Sequence, residues 1–200
     1  MDISPDTTTG NTPESYNSEY SKLLDRWGVS FAGVGFKPEE CLRSYVVQKR
    51  MLEMVEGDRI LDVGCGMGWG ATQFIDYEYS GIDTSEEHLS IAKSIFLGGE
   101  QWFERTTLYE WDGGEVDHVL FAGIFNIGYE WKDIVELVEF AWCNVATRGV
   151  GISYQKTSAE GMTTFSTRDW VGLVTRLSDR WACDVSWSEI NGVVTTRKVS

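Results

Sequence analysis

The sequence predicts a doubly wound α/β fold, a mostly parallel sheet of about seven strands that ends in an antiparallel C-terminal hairpin. Three observations carry that reading. From residue 59 onward, apolar runs of strand length alternate with stretches of helical period. The first run, Ile60-Leu61-Asp62-Val63, opens into Gly64-Cys65-Gly66-Met67-Gly68-Trp69-Gly70, where every second residue is glycine. The second run ends in an acid, Asp83, 21 positions after Asp62.

Residues 2–15 are polar, carry Pro5, Pro13 and Thr7-Thr8-Thr9-Gly10-Asn11, and lack a hydrophobic period. Such a stretch cannot bury enough apolar surface to offset its chain entropy. Residues 1–15 therefore read as a disordered tail and 16–200 as a single domain, with 16–55 a helical leader or lid and 56–200 the core. The leader holds two helical segments. The second starts at Pro38-Glu39 and sets Leu42, Tyr45, Val46, Lys49, Met51 and Leu52 at roughly helical spacing. Between the two lies an apolar glycine loop, Phe31-Ala32-Gly33-Val34-Gly35-Phe36.

In the core, Arg59–Val63 has the look of a buried parallel strand, and Trp69–Ile75 of a helix. Tyr79–Ile82 is the second strand. Thr84, with Glu87 three positions on, matches a capping box and opens a helix that buries Leu89, Ala92, Ile95 and Phe96 and stops at Gly98-Gly99. A short strand is expected over Gln101–Glu104 and a strong one over Val116–Ala122. Ile134, Leu137, Val138, Ala141, Trp142 and Val145 form a helical stripe ending at Gly149, and Val150–Tyr154 follows as a strand. Arg168–Leu177 reads as a helix, and Trp181–Ser186 with Val193–Lys198 as a hairpin turning at Asn191-Gly192.

Charge and cysteine usage narrow the class of protein. The 200 residues carry 17 Lys+Arg against 31 Asp+Glu, a formal net charge of −14. That balance argues against a nucleic-acid partner, because such binding needs a basic surface that releases counterions. Cys41, Cys65, Cys143 and Cys183 are scattered and form no disulfide framework. With His88 and His118 as the only histidines, no His-rich metal centre is available. The N-terminus lacks the basic and apolar regions of a secretory signal, and no apolar run approaches the ~20 residues of a membrane span. The expectation is a soluble, reduced, cytoplasmic protein without a membrane partner.

The glycine loop and the distant acid point to a nucleoside cofactor. Bare glycine positions let backbone N–H groups come close to a ligand at the start of the following helical turn. An acid ending the second strand is placed to accept hydrogen bonds from both ribose hydroxyls. The dinucleotide fingerprint G-x-G-x-x-G fits poorly: counted from Gly64 its third glycine falls on Trp69, and a shifted count through Gly66, Gly68 and Ala71 starts late after the strand. The D-x-G-x-G-x-G pattern of Asp62, Gly64, Gly66 and Gly68, with Asp83 beyond it, resembles the class I S-adenosylmethionine-dependent methyltransferases.

The resemblance extends to Phe121-Ala122-Gly123-Ile124-Phe125-Asn126, to Gly35-Phe36 with Arg43 in the leader, and to Tyr154 with Phe165-Ser166-Thr167-Arg168-Asp169-Trp170. These match small methyltransferase-domain proteins of unassigned substrate, over roughly residues 16–198. It implies a Rossmann-like fold, S-adenosylmethionine as cofactor, and contacts to it from Asp62, Gly64, Cys65, Gly66, Gly68, Asp83, Thr84, Thr107, Leu108, Ala122 and Gly123. One position departs from the family pattern. Where many relatives have an acid beside the adenine amino group, this chain reads Glu104-Arg105-Thr106-Thr107-Leu108.

Other side chains have two readings. Cys65 reads as a small loop-filler and not a nucleophile; His88 reads as solvent-facing and His118 as a packed strand histidine. Asn126, Tyr129, Glu130 and Trp131 follow the fourth strand, above the expected methyl group. Tyr129 and Trp131 serve equally as a core cap or a substrate wall, and Tyr154 and Gln155 share that ambiguity. Arg43 is either a clamp for the cofactor carboxylate or a solvated charge, and Glu136 and Glu139 read as a solvated helix face. The resulting expectation is methyl transfer to a small or medium-sized acceptor by in-line displacement, with no catalytic base identified. A cofactor-binding protein without turnover, or an NAD-dependent oxidoreductase using the shifted glycines, are the alternatives.

Overall fold

Seven strands form one sheet in the order β3-β2-β1-β4-β5-β7-β6: β1 Arg59–Val63, β2 Glu78–Asp83, β3 Phe103–Arg105, β4 Val116–Ala122, β5 Ala146–Ser153, β6 Cys183–Ser188 and β7 Val193–Lys198. Among the described residues the sheet is accompanied by helices that include α1 Pro38–Met51, α2 Glu86–Ile95 and α3 Trp131–Asn144. The computed structural model describes residues 21–22, 24–26, 28–30, 38–96, 102–126, 129–154, 169–173, 175–176, 183–188 and 192–198. The expected tail, the 31–36 loop and Gln155 lie outside them.

Strands β1 to β5 pair in parallel, and β7 runs antiparallel between β5 and β6. From β1 the chain moves outward to β2 and β3, then returns across β1 to lay β4 on its other side. The crevice at the carboxyl ends of β1 and β4 is therefore the switch point of the sheet, where ligands of open α/β folds bind.

Side chains alternate between the two faces of the sheet. Leu61, Val63, Val119, Phe121, Val150 and Ile152 share one core with Ile134, Leu137, Val138, Ala141 and Trp142 of α3. Ile60, Leu120 and Ala122 face the other way, against Tyr45, Leu52, Phe74, Leu89 and Ala92. On that second face α1 lies close over β5. Gly151 makes the approach possible, since a Cβ there would overlap Gln48 Oε1.

Several boundaries differ from the sequence reading. Trp69–Gln73 is a 3₁₀ turn and not the expected α-helix. Gly68, in the left-handed region at φ 76°, provides no side-chain cap, and the chain must turn back into β2 by Glu78. The N-cap of α2 is Ser85, whose hydroxyl accepts from His88 N at 3.3 Å. The cap thus falls one residue later than the expected Thr84, with Asp83 taking the Ser85 amide and the Glu87 carboxylate accepting from Ser21. Ile95 is exposed where α2 ends, while Phe96 packs on Phe103 at 5.7 Å.

Helix α3 stops at Asn144, whose amide bonds Phe140 O. Strand β5 starts at Ala146, four residues before the expected Val150, held at its start by pairing with Val116 and by Thr147 Oγ1 on Val116 O. The closing hairpin forms as expected, and its first strand runs to Ser188, two residues past the expected end. Residues 169–173 and 175–176, within the expected Arg168–Leu177 helix, are helical.

Candidate cofactor site

Strand β1 delivers Asp62 to the base of the crevice with no solvent exposure. One carboxylate oxygen, Oδ2, accepts two hydroxyls at 2.8 Å each, from Tyr45 of α1 and Tyr79 of β2. The other, Oδ1, is buried without a partner. Burial pushes this carboxyl up to about 7, while the two hydroxyl bonds pull the other way and the nearby Asp83 charge adds to the rise.

The loop after β1 turns through three glycines at positive φ, Gly64 at 71°, Gly66 at 55° and Gly68 at 76°, a region costly for any residue with a Cβ. Gly64 N and Cys65 N both donate to Ile82 O, at 2.8 and 3.0 Å. Gly66 N donates to Asp83 Oδ2 at 2.8 Å, and Ser85 N to Asp83 Oδ1 at 2.8 Å. The two sequence signals thus meet in one hydrogen bond, with the remote acid bracing the glycine loop.

Burial raises the Asp83 carboxyl, opposed by the amides of Ser85, Gly66 and Thr84 and by His88. His88 is buried, contrary to the solvent-facing expectation. The first turn of α2 points it back toward the sheet, where burial lowers its pKa and the Asp83 and Glu87 charges work against that. Cys65 fills the loop as expected. Burial and the charges of Asp83 and Asp62 push its thiol up, away from the reactive thiolate, and Gly81 leaves the room its sulfur occupies.

The remaining cofactor candidates surround these. Thr84 O accepts Arg105 Nε at 3.3 Å. Thr107 follows β3 and donates its hydroxyl to Glu110 Oε2 at 2.9 Å, which leaves the oxygen lone pairs as acceptors. Leu108 is buried in the core on the α3 side. Ala122 ends β4, and Gly123 turns away at φ 87°. Ile124, to which sequence reasoning gave no role, lies directly over the loop, so that a Cβ at Gly64 would overlap its Cγ2. Tyr45 and Tyr79 were also missed.

The aromatic residues after β4 and β5 pack on one another. Phe125 contacts Phe121, Tyr129 and Trp170. Trp170 stacks on Tyr154 at 5.1 Å and meets Trp131 edge-on at 5.3 Å. Tyr154 and Trp170 belong to the core, while Tyr129 and Trp131 keep partly exposed edges. Glu130 and Arg43 are exposed. His118 sits toward the amino end of β4, far from the crevice. There its Nε2 pairs with Asp58 Oδ2 at 3.2 Å while Arg148 holds Asp58 Oδ1 at 2.6 Å. Burial lowers its pKa to about 4, so it is a packed histidine, as expected.

No protein-family profile and no curated protein matches the chain. Solved structures do. Magnesium protoporphyrin IX methyltransferase from Synechocystis PCC 6803, with bound SAM, aligns at a TM-score of 0.67 over 96% of this chain and 100% of its own, at 16% identity. The chain has the class I S-adenosylmethionine-dependent methyltransferase fold. Two more structures of this methyltransferase fold agree. The 1,6-didemethyltoxoflavin-N1-methyltransferase of Burkholderia thailandensis, with S-adenosylhomocysteine, aligns at TM-score 0.69 and 14% identity over 99% of this chain and 95% of that one. A plantazolicin methyltransferase, also with S-adenosylhomocysteine, aligns at 0.61 and 14% identity over 91% of each chain. Among the described residues, no helix is long and apolar enough to cross a membrane.

Proposed function

We propose that this chain binds S-adenosylmethionine across the carboxyl ends of β1, β2 and β4 and transfers its methyl group to a small or medium-sized acceptor. The observation that carries the reading is the bond from Gly66 N to Asp83 Oδ2. It joins a glycine loop and a strand-end acid at the switch point of a methyltransferase fold.

The residues present fit the group. A carboxylate offers about four lone-pair sites, and the amides that Asp83 accepts leave capacity for a ribose hydroxyl. Asp62 Oδ1 is a buried acceptor in want of a donor. Gly64 to Gly68 border the methionyl end, Cys65 packs beneath it, and Thr84, Thr107 and Leu108 flank the adenosine. Ala122 and Gly123 keep the methyl end free of bulk.

The cofactor, when bound, supplies a methyl group on a sulfonium, already an activated electrophile. The protein's task is then to align the acceptor in line with the breaking bond and to exclude water. Orientation of that kind is worth up to about 7–11 kcal/mol in favourable cases. Ile124 over the loop, with the edges of Tyr129 and Trp131, forms the side of the crevice on which an acceptor would rest.

Titration calorimetry with S-adenosylmethionine and S-adenosylhomocysteine tests this reading. Micromolar binding, weakened at least tenfold in Asp83→Ala, is the expected outcome. Binding absent even at millimolar ligand would sink it. Methyl transfer to a panel of small nucleophiles then separates an enzyme from a binding protein.

A further inference from the structure

The connection from β3 to β4, residues 106–115, is short, and its one helical element is the 3₁₀ turn Leu108–Glu110. Crossovers between parallel strands usually run a dozen residues or more and carry an α-helix. No helix of this connection therefore covers the outer edge of the sheet, where β3 pairs with β2 only over Phe103–Arg105. A hollow of about 270 Å³ opens at this edge, with Trp102, Trp111, Lys93, Arg105, Ser80 and Glu104 among its walls.

The walls are set by the local fold. Trp111 Nε1 donates to Gly114 O at 3.0 Å, and the chain folds over the indole at Gly113, where a Cβ would overlap Trp111 Cζ2. Trp102 precedes β3, lies 6.4 Å from the Phe96 ring and is 37% exposed. Strand alternation turns Ser80 to the face of Ile82, and Glu104 to the face opposite Phe103, so both are on the α3 side of the sheet. Arg105 alternates back to the α2 side, and Lys93 comes from the last turn of α2. Cations thus border one flank of the hollow and oxygen acceptors the other.

We propose that this hollow is a second ligand site, for a planar aromatic molecule that carries a carboxylate. Two indoles offer the flat apolar faces against which an aromatic ring packs. Arg105 donates Nε to Thr84 O and Nη1 to Glu86; a guanidinium has five N–H donors, and its fork suits a carboxylate. The Lys93 ammonium adds a second cation on that flank. Glu104 repels a carboxylate and accepts from a ring N–H, so it orients the molecule across the strand edge. Pockets for drug-sized ligands begin at about 300 Å³, and a hollow of about 270 Å³ suits one or two fused rings. None of these six side chains belongs to the cofactor crevice, so the site stands apart from the cofactor assignment.

The test is a titration of the full chain with indoleacetate, indoleacetamide and tryptamine, which share one ring system and differ in charge. Binding is followed in proton–nitrogen spectra of the labelled chain. Indoleacetate is expected to bind with a Kd of about 1 mM or tighter and to shift the indole N–H signals of Trp102 and Trp111. The amide and the amine should bind about tenfold more weakly, the loss of one charge-assisted hydrogen bond. Lys93→Gln and Trp102→Ala, at positions that keep solvent contact, should each weaken indoleacetate about tenfold and leave S-adenosylhomocysteine affinity within about twofold. Saturating S-adenosylhomocysteine should leave the indoleacetate shifts in place. Displacement of the probe by S-adenosylhomocysteine would put it in the cofactor crevice and overturn the inference. Equal affinity for the three probes, unchanged affinity in both variants, or no shift at Trp102 and Trp111 with tens of millimolar probe would overturn it as well. Failure of S-adenosylhomocysteine to bind would count against the cofactor assignment alone, and the probe series would still decide the second site.

Discussion

Replacing Gly64 by alanine tests whether Ile124 and the glycine loop form one packed unit. Two separate costs arise. The backbone at Gly64 has φ of 71°, and an L-residue in the left-handed region loses about 1–2 kcal/mol. The added Cβ also overlaps Ile124 Cγ2, with Ile124 Cβ at 3.2 Å. Forcing a side chain aside in a packed site costs about 1–3 kcal/mol. The single variant should therefore lose about 2–5 kcal/mol, lowering a urea midpoint by about 1–2.5 M at a slope near 2 kcal/mol/M. Ile124→Ala removes the Cγ2 overlap but keeps the Cβ contact at 3.2 Å and the backbone strain, so in that background Gly64→Ala should cost little more than about 1–2 kcal/mol. The double-mutant cycle isolates the steric part as a coupling of about 1–3 kcal/mol. Additive effects, with coupling near zero, would show that Ile124 does not cover the loop and that the crevice is shaped differently from the arrangement above.

Other perturbations address other parts of the molecule. Because burial lowers His118 to about 4 from an ordinary 6.5, the unfolded chain takes up its proton first. The stability difference between wild type and His118→Phe in thermal melts should shift by up to about 3 kcal/mol against wild type as pH falls from 6.5 toward 4. Gly151→Ala places a Cβ onto Gln48 Oε1 and should cost about 1–3 kcal/mol by chemical denaturation, with cofactor affinity changed less than stability. Ile134→Ala, in the middle of the buried stripe of α3, should cost about 2–5 kcal/mol. Asp62→Asn should stabilise the free protein by a few kcal/mol above pH 7 and have little effect near pH 4, since the folded carboxyl at about 7 resists ionisation that the unfolded chain completes at 3.8.

Strand β4 was legible residue for residue, because an apolar run between Gly113-Gly114 and Gly123 leaves one buried reading. The cofactor loop was legible for a related reason, since alternate glycines have few uses other than close backbone approach. What escaped depends on contacts between segments. Periodicity shows that Tyr45 faces inward, but not that it lies opposite Asp62, 17 positions away. His88 was misread on its polarity alone, although it stands beside Leu89 and four positions before Ala92, on the buried face of α2. The expected helix at 69–75 is a 3₁₀ turn because its amides bond three residues back, Ala71 N to Gly68 O and Phe74 N to Ala71 O, a hydrogen-bond choice that apolar spacing does not show. The aromatic residues after β4 had equal readings in sequence, and only the stack of Tyr154 on Trp170 places that part of the group in the core.

Two buried ionisable residues sit at opposite poles of the sheet, and their linkage runs in opposite directions. His118, neutral in the fold, makes the protein more stable as pH rises through the 4–6.5 interval; Asp62, costly when ionised, makes it less stable from about 3.8 up to about 7. The two slopes offset each other over much of the acid range, so a flat stability profile there would conceal two large terms. Neither is fully satisfied among the described residues. Asp58 pairs with His118 Nε2 and Arg148 with Asp58, yet His118 Nδ1 and Asp62 Oδ1 are both buried without a hydrogen-bond partner. Two tyrosines could have divided themselves between the two oxygens and removed that cost; instead both bond the same one.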